Sequence, residues 1–582
     1  MIKTRIVYLW MTILLLLFAV IYGVLPHIGI ATKNTEFSYE NIVFNKNKVT
    51  AVDIEIAEEE WADMLENAAD EELKQATITV NGKKVENVAI RTKGNSSLNS
   101  VVNSDSDRYS LKIDFDYYDG AQSLYGLKKL NLNNNYSDTT LMREYISYEL
   151  MEQMGLPTPA HSYMYVTVNG EERGLFLGVE AVDETFLANN YGTNDGFLFK
   201  PDGTGSDLKY ISDDITDYTG IGLKTNEGNI DESKLIEMLD TINNGGDIEK
   251  YIDVDEMLRY FAVNTALVNL DSYQGMTKHN YYLYEQNGVF SIIPWDYNLA
   301  FGGFGVGGFG GGRMGGENDQ NPANAATNRQ RPFAQNNEQP DQADGRDKQR
   351  GGGFDMGMGM SGNLLDESAI NFSITTPVSG TTLEERPLLN ALLANEEYHA
   401  KYESYLEEIA TTYLTEEYIQ SITKNLAVLL TTYVEADPTK FSTTEQFLEA
   451  VEGENSLPEF AKQRSDSILK QLSGELVVEA ATTTNMPAPN ENGAMPENFD
   501  PSQLPEDFDP AQVPPFNREG QNGEPMQRPD GNGFPMGMPG ANGEASNQAT
   551  VIDKNTVLTV TVSLVLLLLA ILFVVKFKRR GR

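Results

Sequence analysis

Short runs of alternating apolar and polar residues mark β-strands in the first third of the chain. Residues 51–58, 76–87 and 161–180 contain such runs, and Asn-Gly pairs inside the second and third are typical of tight hairpin turns. Residues 109–115 set Tyr, Leu, Ile and Phe between Ser, Lys and Asp, which is the pattern of a half-buried strand. The region from residue 44 onward is therefore expected to begin as a β-rich unit.

Helical spacing replaces this alternation in later parts of the chain. Ser137 or Asp138 can cap a helix that ends near Gly155, with a proline two residues beyond. Leucines and tyrosines recur at helical intervals through residues 387–472. Strands followed by helices predict an α+β fold.

The strongest hairpin signal lies in the middle of the chain. Two apolar runs, residues 281–285 and 289–294, flank the pair Asn287-Gly288. A two-residue turn at this pair sets Gln286 opposite Val289, which fixes the register of the two strands.

Polar residues collect at the open end of this hairpin. Counting outward from the turn places Asn280 opposite Trp295, next to Asp296, and a short loop can return Asp271 to the same end. Strict register points Asn280 and Asp296 to opposite faces of the hairpin. We expect a bulge at Pro294 to bring them to one face.

Both ends of the chain carry an apolar run. Residues 6–25 and 556–575 are each long enough to cross the roughly 30 Å hydrocarbon layer of a membrane as a helix. Basic residues flank both runs on the outer side, which predicts cytoplasmic termini and an extracytoplasmic middle, at the cell surface or a forespore membrane. A cleaved signal peptide is the alternative for the first run.

Composition divides the rest of the chain. Residues 302–363 are rich in Gly, Asn, Gln and Met, and residues 475–550 are acidic and rich in Pro and Met, so both segments are expected to be disordered. The predicted order is a cytoplasmic tail (1–5), a membrane segment (6–25), a stalk (26–43), a first lobe (44–183), the core of a second lobe (184–301), a disordered insertion (302–363), the helical remainder of the second lobe (364–474), an acidic linker (475–550), a membrane segment (556–575) and a basic cytoplasmic tail (576–582).

Charge and cysteine content exclude several classes of function. The chain has 85 acidic and 44 basic residues, a formal net charge of −41, which repels nucleic acid. It contains no cysteine, which rules out disulfides, thiolate nucleophiles and cysteine zinc sites.

The hairpin end supplies the groups that phosphoryl transfer requires. One carboxylate must orient the attacking hydroxyl, while a second carboxylate and an amide oxygen hold Mg²⁺ against the phosphates. Asp271, Asn280 and Asp296 follow one another in the order in which protein kinases use such groups, although the usual flanking motifs are absent. A surface hairpin with solvated Asp and Asn is the alternative.

The β-rich region offers partners for a phosphate chain. Lys112 lies within a predicted strand, and the helix that follows offers Glu144 or Glu149 to hold it. The segment RTKGNSS at residues 91–97 is a polar glycine loop whose amides can cradle phosphate. Alternatively, Lys112 extends from an edge strand into solvent and the loop is an ordinary turn.

Taken together, these segments resemble the CotH kinase family, the spore coat protein H group of atypical bacterial kinases. The matching segments are residues 91–97, Lys112, KKLNLNNNYSDTTLMRE ending at Glu144, VNGEERGLFLGVE ending at Glu180, and the block from Asp271 to Asn298. The resemblance covers residues 44–472 apart from the Gly/Asn/Gln/Met-rich insertion.

The resemblance implies a divergent two-lobed protein-kinase-like fold that uses ATP and Mg²⁺ or Mn²⁺. On this pattern Asp271 is the catalytic residue, and Asn280 and Asp296 bind the metal. The residues expected to bind the nucleotide are Arg91, Gly94, Asn95, Ser96, Lys112, and Glu144 or Glu180. The expected partner is a basic, serine-rich protein substrate that is phosphorylated on Ser or Thr. A surface scaffold without catalytic activity is the alternative function.

Overall fold

The computed structural model describes residues 39–226, 233–306 and 364–478. All of these residues belong to one compact unit of the chain. The strands are β1 (Thr50–Ile56), β2 (Lys74–Val80), β3 (Lys83–Lys93), β4 (Ser110–Asp114), β5 (Lys129–Asn133), β6 (His161–Val168), β7 (Glu171–Glu180), β8 (Phe197–Pro201), β9 (Ile221–Leu223), β10 (Tyr281–Gln286) and β11 (Val289–Pro294).

Helices surround and follow these strands. They are α1 (Tyr39–Ile42), α2 (Glu58–Glu66), α3 (Ser96–Val102), α4 (Arg143–Gln153), α5 (Glu184–Tyr191), α6 (Ser233–Asn244), α7 (Val254–Ala266), α8 (Glu367–Ile370), α9 (Pro387–Leu393), α10 (Glu396–Glu408), α11 (Glu416–Ala436), α12 (Thr444–Glu452) and α13 (Leu457–Leu472). The predicted helix after Asp138 starts later than expected, at Arg143, because residues 138–142 form turns.

Strands β1 to β7 form a closed barrel in the order β1-β2-β3-β4-β5-β7-β6. Closure comes from parallel pairing of β1 with β6, in which Thr50 lies beside Met164. The residues of β1 alternate between buried and exposed, and Val52 and Ile54 contribute to the barrel core. Alternation predicted the barrel strands except β5, and it carries no information about which distant strands pair.

A second sheet supports the predicted hairpin. Its strand order is β11-β10-β8-β9, and it packs with α7 and the C-terminal helices around a separate apolar core. The hairpin register is as predicted, with Gln286 opposite Val289.

Two predictions of architecture need correction. The expected two-lobed kinase-like fold with transmembrane helices is contradicted, because β1 to β7 close into a barrel. Across residues 39–226, 233–306 and 364–478, no helix combines the length and apolar character needed to cross a membrane. The predicted membrane anchoring with cytoplasmic termini therefore finds no support in this part of the chain. The spans predicted at 6–25 and 556–575 lie outside the described residues, as do most of the insertion 302–363 and of the linker 475–550.

Candidate functional site

A polar cavity of about 330 Å³ lies between the barrel and the β10–β11 hairpin. The outer faces of β3, β4 and β5 form one wall, and the hairpin end with the loop after α7 forms the other. The cavity is lined by most of the residues predicted from the sequence, namely Arg91, Gly94, Asn95, Ser96, Lys112, Asp271, Asn280 and Asp296.

Backbone conformation turns the two hairpin ends toward this cavity. Tyr281 pairs with Pro294, so the ladder runs to its end without the bulge that we expected at Pro294. Instead, Asn280 and Asp296 both have positive φ angles, 58° and 57°. Asn and Asp tolerate this left-handed conformation better than other non-glycine residues, and such strained positions concentrate at functional sites.

The carboxylate of Asp271 is held by both residues that precede β10. His279 Nε2 lies 2.7 Å from Asp271 Oδ1, and Asn280 Nδ2 donates to Asp271 Oδ2 at 3.0 Å. Asn280 Nδ2 also donates to the Asp271 carbonyl oxygen at 2.9 Å. Because its nitrogen is engaged in this way, the amide oxygen of Asn280 is left as the atom available to a ligand.

A buried amide network fixes the loop that carries Asp271. Asn264, at the end of α7, donates to Ser272 Oγ and to Gln274 Oε1, each at 2.8 Å. Gln274 Nε2 donates in turn to Thr265 Oγ1 at 2.9 Å. These side chains are buried, so any movement of the loop would leave polar groups without hydrogen-bond partners. The cost of such unpaired groups holds the loop in one conformation.

Two carboxyl groups interact next to the cavity: Asp296 is half-buried and lines it, whereas Glu144 is buried and does not line it. Burial raises the pKa of Asp296, and the charge of Asp271 adds to this effect against the opposing charge of Lys93. Burial and the charge of Asp296 raise the pKa of Glu144, on α4, to about 7. Tyr148 connects the two, because its hydroxyl donates to Glu144 Oε1 at 3.1 Å and accepts from the Asp296 amide at 3.1 Å.

Lys93 is the cation whose charge most affects both carboxyl groups, and it was not among the site residues predicted from the sequence. Its Nζ donates to Asn133 Oδ1 at 2.8 Å, and Asn133 Nδ2 donates to Glu144 Oε2 at 2.9 Å. Its charge lowers the pKa of both Glu144 and Asp296. Glu144 thus pairs with Lys93 through Asn133, and not with Lys112 as we expected. The position of Lys93 directly before Gly94 in the glycine loop is the signal that could have identified it.

The glycine loop borders the cavity at the end of β3. Gly94 has a φ angle of 126°, and a Cβ at this position would lie 2.9 Å from Ser97 Oγ, so any other residue would be strained there. Arg91 forms an ion pair with Glu71.

Lys112 lies one strand further along the same wall. Burial, together with the charges of Arg91, Lys129 and Lys93, lowers the pKa of Lys112 to about 8.

Glu180 does not line the cavity. Tyr39 and the Ala160 amide donate to its two carboxylate oxygens, and burial raises its pKa to about 8. Its contacts join α1 to the barrel, which is a structural role.

One further cluster has ligand types that suit a metal. Glu149, Glu152 and His161 place one ligand atom each within 4.8 Å of one another. Lys46 already bonds both carboxylates, however, so an ammonium group takes the place of a metal ion in this cluster. Glu149, the alternative partner for Lys112, is therefore engaged elsewhere.

Comparison with known proteins agrees with the resemblance inferred from the sequence. The family model described as CotH kinase protein matches residues 90–468. Inner spore coat protein H of Bacillus subtilis (strain 168) is 30% identical over 189 residues, covering 30% of this chain and 51% of that protein. An inner spore coat protein H-like protein of the same organism is 37% identical over 59 residues, covering 10% of this chain and 19% of that protein.

The family match extends over more than half of the chain. The chain therefore belongs to the CotH kinase family. It spans about half the length of inner spore coat protein H. Within this family member, carboxylates line one wall of the cavity and cations line the other.

Proposed function

We propose that this protein transfers a phosphoryl group from a nucleoside triphosphate to a hydroxyl side chain of a protein, with a divalent metal ion. The observation that carries the proposal is the arrangement of one cavity. Asp271, Asn280 and Asp296 lie on one wall, and Lys93 and Lys112 lie on the other. Phosphoryl transfer depends chiefly on positioning and on charge stabilisation, and these residue types supply both.

Asp271 is the proposed catalytic residue. It lies on a loop fixed by the Asn264 and Gln274 network, and only 14% of its side chain is exposed. A carboxylate held in this way can orient an acceptor hydroxyl and take its proton. His279 and Asn280 restrict its rotation, so they support the same role.

Asp296 and Asn280 are the proposed metal-binding residues. The fit rests on charge, because the charge of Asp271 raises the pKa of Asp296 and the charge of Asp296 raises that of Glu144. A cation beside these carboxyl groups would offset that repulsion. Carboxylate and amide oxygens are the ligands that Mg²⁺ and Mn²⁺ prefer. When bound, the metal would neutralise charge on the phosphate oxygens.

The acceptor is proposed to be a protein of the spore coat or cell surface, modified on Ser or Thr. The name of the relative, inner spore coat protein H, motivates the first choice. The net charge of −41 favours a basic acceptor.

The test is a transfer assay with purified protein, γ-labelled ATP, Mg²⁺ or Mn²⁺, and a basic, serine-rich protein as acceptor. Asp271→Asn and Asp296→Asn are each expected to lower labelling by at least about 100-fold, the usual scale for a lost acid–base or metal-binding group. Asp213→Asn is the matched control, because Asp213 lies outside the cavity and bonds only Tyr210 among the described residues.

Equal labelling by the wild type and Asp271→Asn would contradict the proposal. Tight binding of ATP without transfer to any acceptor would instead identify a binding protein that has kept the site.

A further inference from the structure

Cations lie in register on the barrel wall of the cavity. Arg91 on β3 pairs with Lys112 on β4, and Lys112 pairs with Asn131 on β5. Lys93 pairs with Ser110, two residues before Lys112 on β4. Since every second residue of a strand faces the same side, these side chains share the face that lines the cavity. We call Arg91, Lys93, Lys112 and Lys129 the cation ladder.

Three members of the ladder have partners within the protein. Arg91 pairs with Glu71, Lys93 bonds Asn133, and Lys129 lies 3.6 Å from Asp116. Lys112 forms neither a hydrogen bond nor an ion pair with any residue of the described ranges, although it is half-buried. Burying a cation among other cations costs free energy, so this position is stabilised by an added anion.

The spacing of the ladder suits a chain of phosphates. Lys112 lies two residues beyond the level of Lys93 along β4, which corresponds to about 7 Å. We call the part of the cavity that holds Asp271, Asn280 and Asp296 the metal end. Lys93 acts on Asp296 at this end, and Lys112 lies further along the barrel wall. An anionic chain anchored at the metal end would therefore reach Lys112.

The cavity offers little to a nucleobase by comparison. Its apolar lining among the described residues is Ala181, Val182, Tyr282, Trp295 and Leu299. The two large rings already contact each other edge to face, with centroids 5.7 Å apart. Lys93 lies over the ring of Trp295 at 5.8 Å, and Lys200 lies over that of Tyr282 at 5.7 Å. A cation thus lies over one face of each large ring, where it competes with a stacked base.

We infer that the phosphoryl donor is recognised through its polyphosphate chain, with Lys112 as the contact beyond the metal end, and that the identity of the base contributes little. The inference rests on the proposed function and names the donor class as polyphosphate compounds in general. It predicts that GTP and inorganic tripolyphosphate bind as ATP does.

Calorimetry of the full-length protein with Mg²⁺ tests this directly, with ATP, GTP, inorganic tripolyphosphate and adenosine as separate ligands. The dissociation constants of the three polyphosphates are expected to agree within about tenfold, a difference of ~1.4 kcal/mol, and adenosine is expected to show no heat of binding. Lys112→Met should weaken all three polyphosphates by about tenfold, as expected for loss of a charged contact. Lys128→Met is the control, because Lys128 pairs with Asp116 and does not line the cavity.

The outcomes separate the two proposals. Binding of ATP and adenosine without binding of tripolyphosphate would overturn the inference and leave the proposed function intact. Unchanged affinities in Lys112→Met would also overturn it. If none of the polyphosphates bound, the proposed function would fail as well.

Discussion

His279 Nε2 lies 2.7 Å from Asp271 Oδ1, so one imidazole ring fixes one oxygen of the proposed catalytic carboxylate. Burial disfavours the charged ring, but the hydrogen bond and charge of Asp271 outweigh this effect and raise the pKa of His279. The residues on either side, Lys278 and Asn280, both have positive φ angles, which sets the direction of the ring. The ring therefore controls where the carboxylate points.

Removal of this ring is expected to lower turnover more than donor binding. His279→Leu should reduce kcat by about tenfold to a hundredfold, the range for a misplaced acid–base group, with little change in KM for the donor. His279→Gln should recover most of the activity, because its amide nitrogen can donate from nearly the place of Nε2. Steady-state kinetics of the two variants give the measurement.

His399→Leu serves as the comparison, since His399 lies near Glu403 on α10. Equal losses of kcat in the Leu and Gln variants of His279 would argue against a positioning role.

Loss of Lys93 should affect the carboxyl pair beside the cavity. Lys93→Met removes the cation that acts on Glu144 and Asp296, and it frees Asn133 Oδ1. We expect the KM for the donor to rise by at least about tenfold, because a charge-assisted contact to phosphate is lost. The control is Lys209→Met, since Lys209 pairs with Glu385 and does not line the cavity. The same donor KM in wild type and Lys93→Met would show that Lys93 does not contact the donor.

The hairpin illustrates how far the sequence determines this site. Its register follows from Asn287-Gly288, and the convergence of Asn280 and Asp296 was predicted from that register. The backbone conformation that brings them together was not predicted, because a positive φ angle has no periodic signature in the sequence. We therefore expected a bulge where the backbone uses two left-handed residues.

The barrel wall shows the limit of prediction from local patterns. Alternation identified β4 and therefore Lys112, but only the pairing of β3, β4 and β5 shows that Lys93 and Asn133 lie next to Glu144. Closure of the barrel depends on β1 meeting β6, and no local pattern encodes that contact. The wrong architecture and the missed lysine have the same cause, which is pairing between distant segments.

A buried ion pair between Arg108 and Asp437 should be a major source of stability. Arg108 Nη1 lies 2.7 Å from Asp437 Oδ2, and both side chains are almost fully buried between the barrel and the end of α11. Arg108→Met would leave Asp437 charged and unpaired, which typically costs about 3–5 kcal/mol. Urea unfolding measures the loss. Arg173→Met, which removes a more exposed pair with Asp107, should cost about 1 kcal/mol or less. Similar costs for the two variants would contradict this assignment.

Glu180 should make the protein less stable as pH rises. Burial raises its pKa from 4.5 to about 8 in the folded state, while the unfolded chain keeps a value near the lower one. Between these two values the folded state binds more protons than the unfolded state, so the free energy of unfolding falls with rising pH. Above about pH 8 this contribution is lost.

Glu180→Gln should flatten this dependence and preserve the fold. The amide oxygen of Gln can accept from Ala160 N, and its nitrogen can donate to the Tyr39 hydroxyl, so both contacts of Glu180 have a substitute. Denaturant unfolding at about pH 5 and about pH 9 should show a smaller difference in the variant than in the wild type. Part of the slope will remain, because burial also raises the pKa of Glu144 and of Glu256 to about 7. Identical slopes in wild type and variant would mean that Glu180 is not the group that titrates.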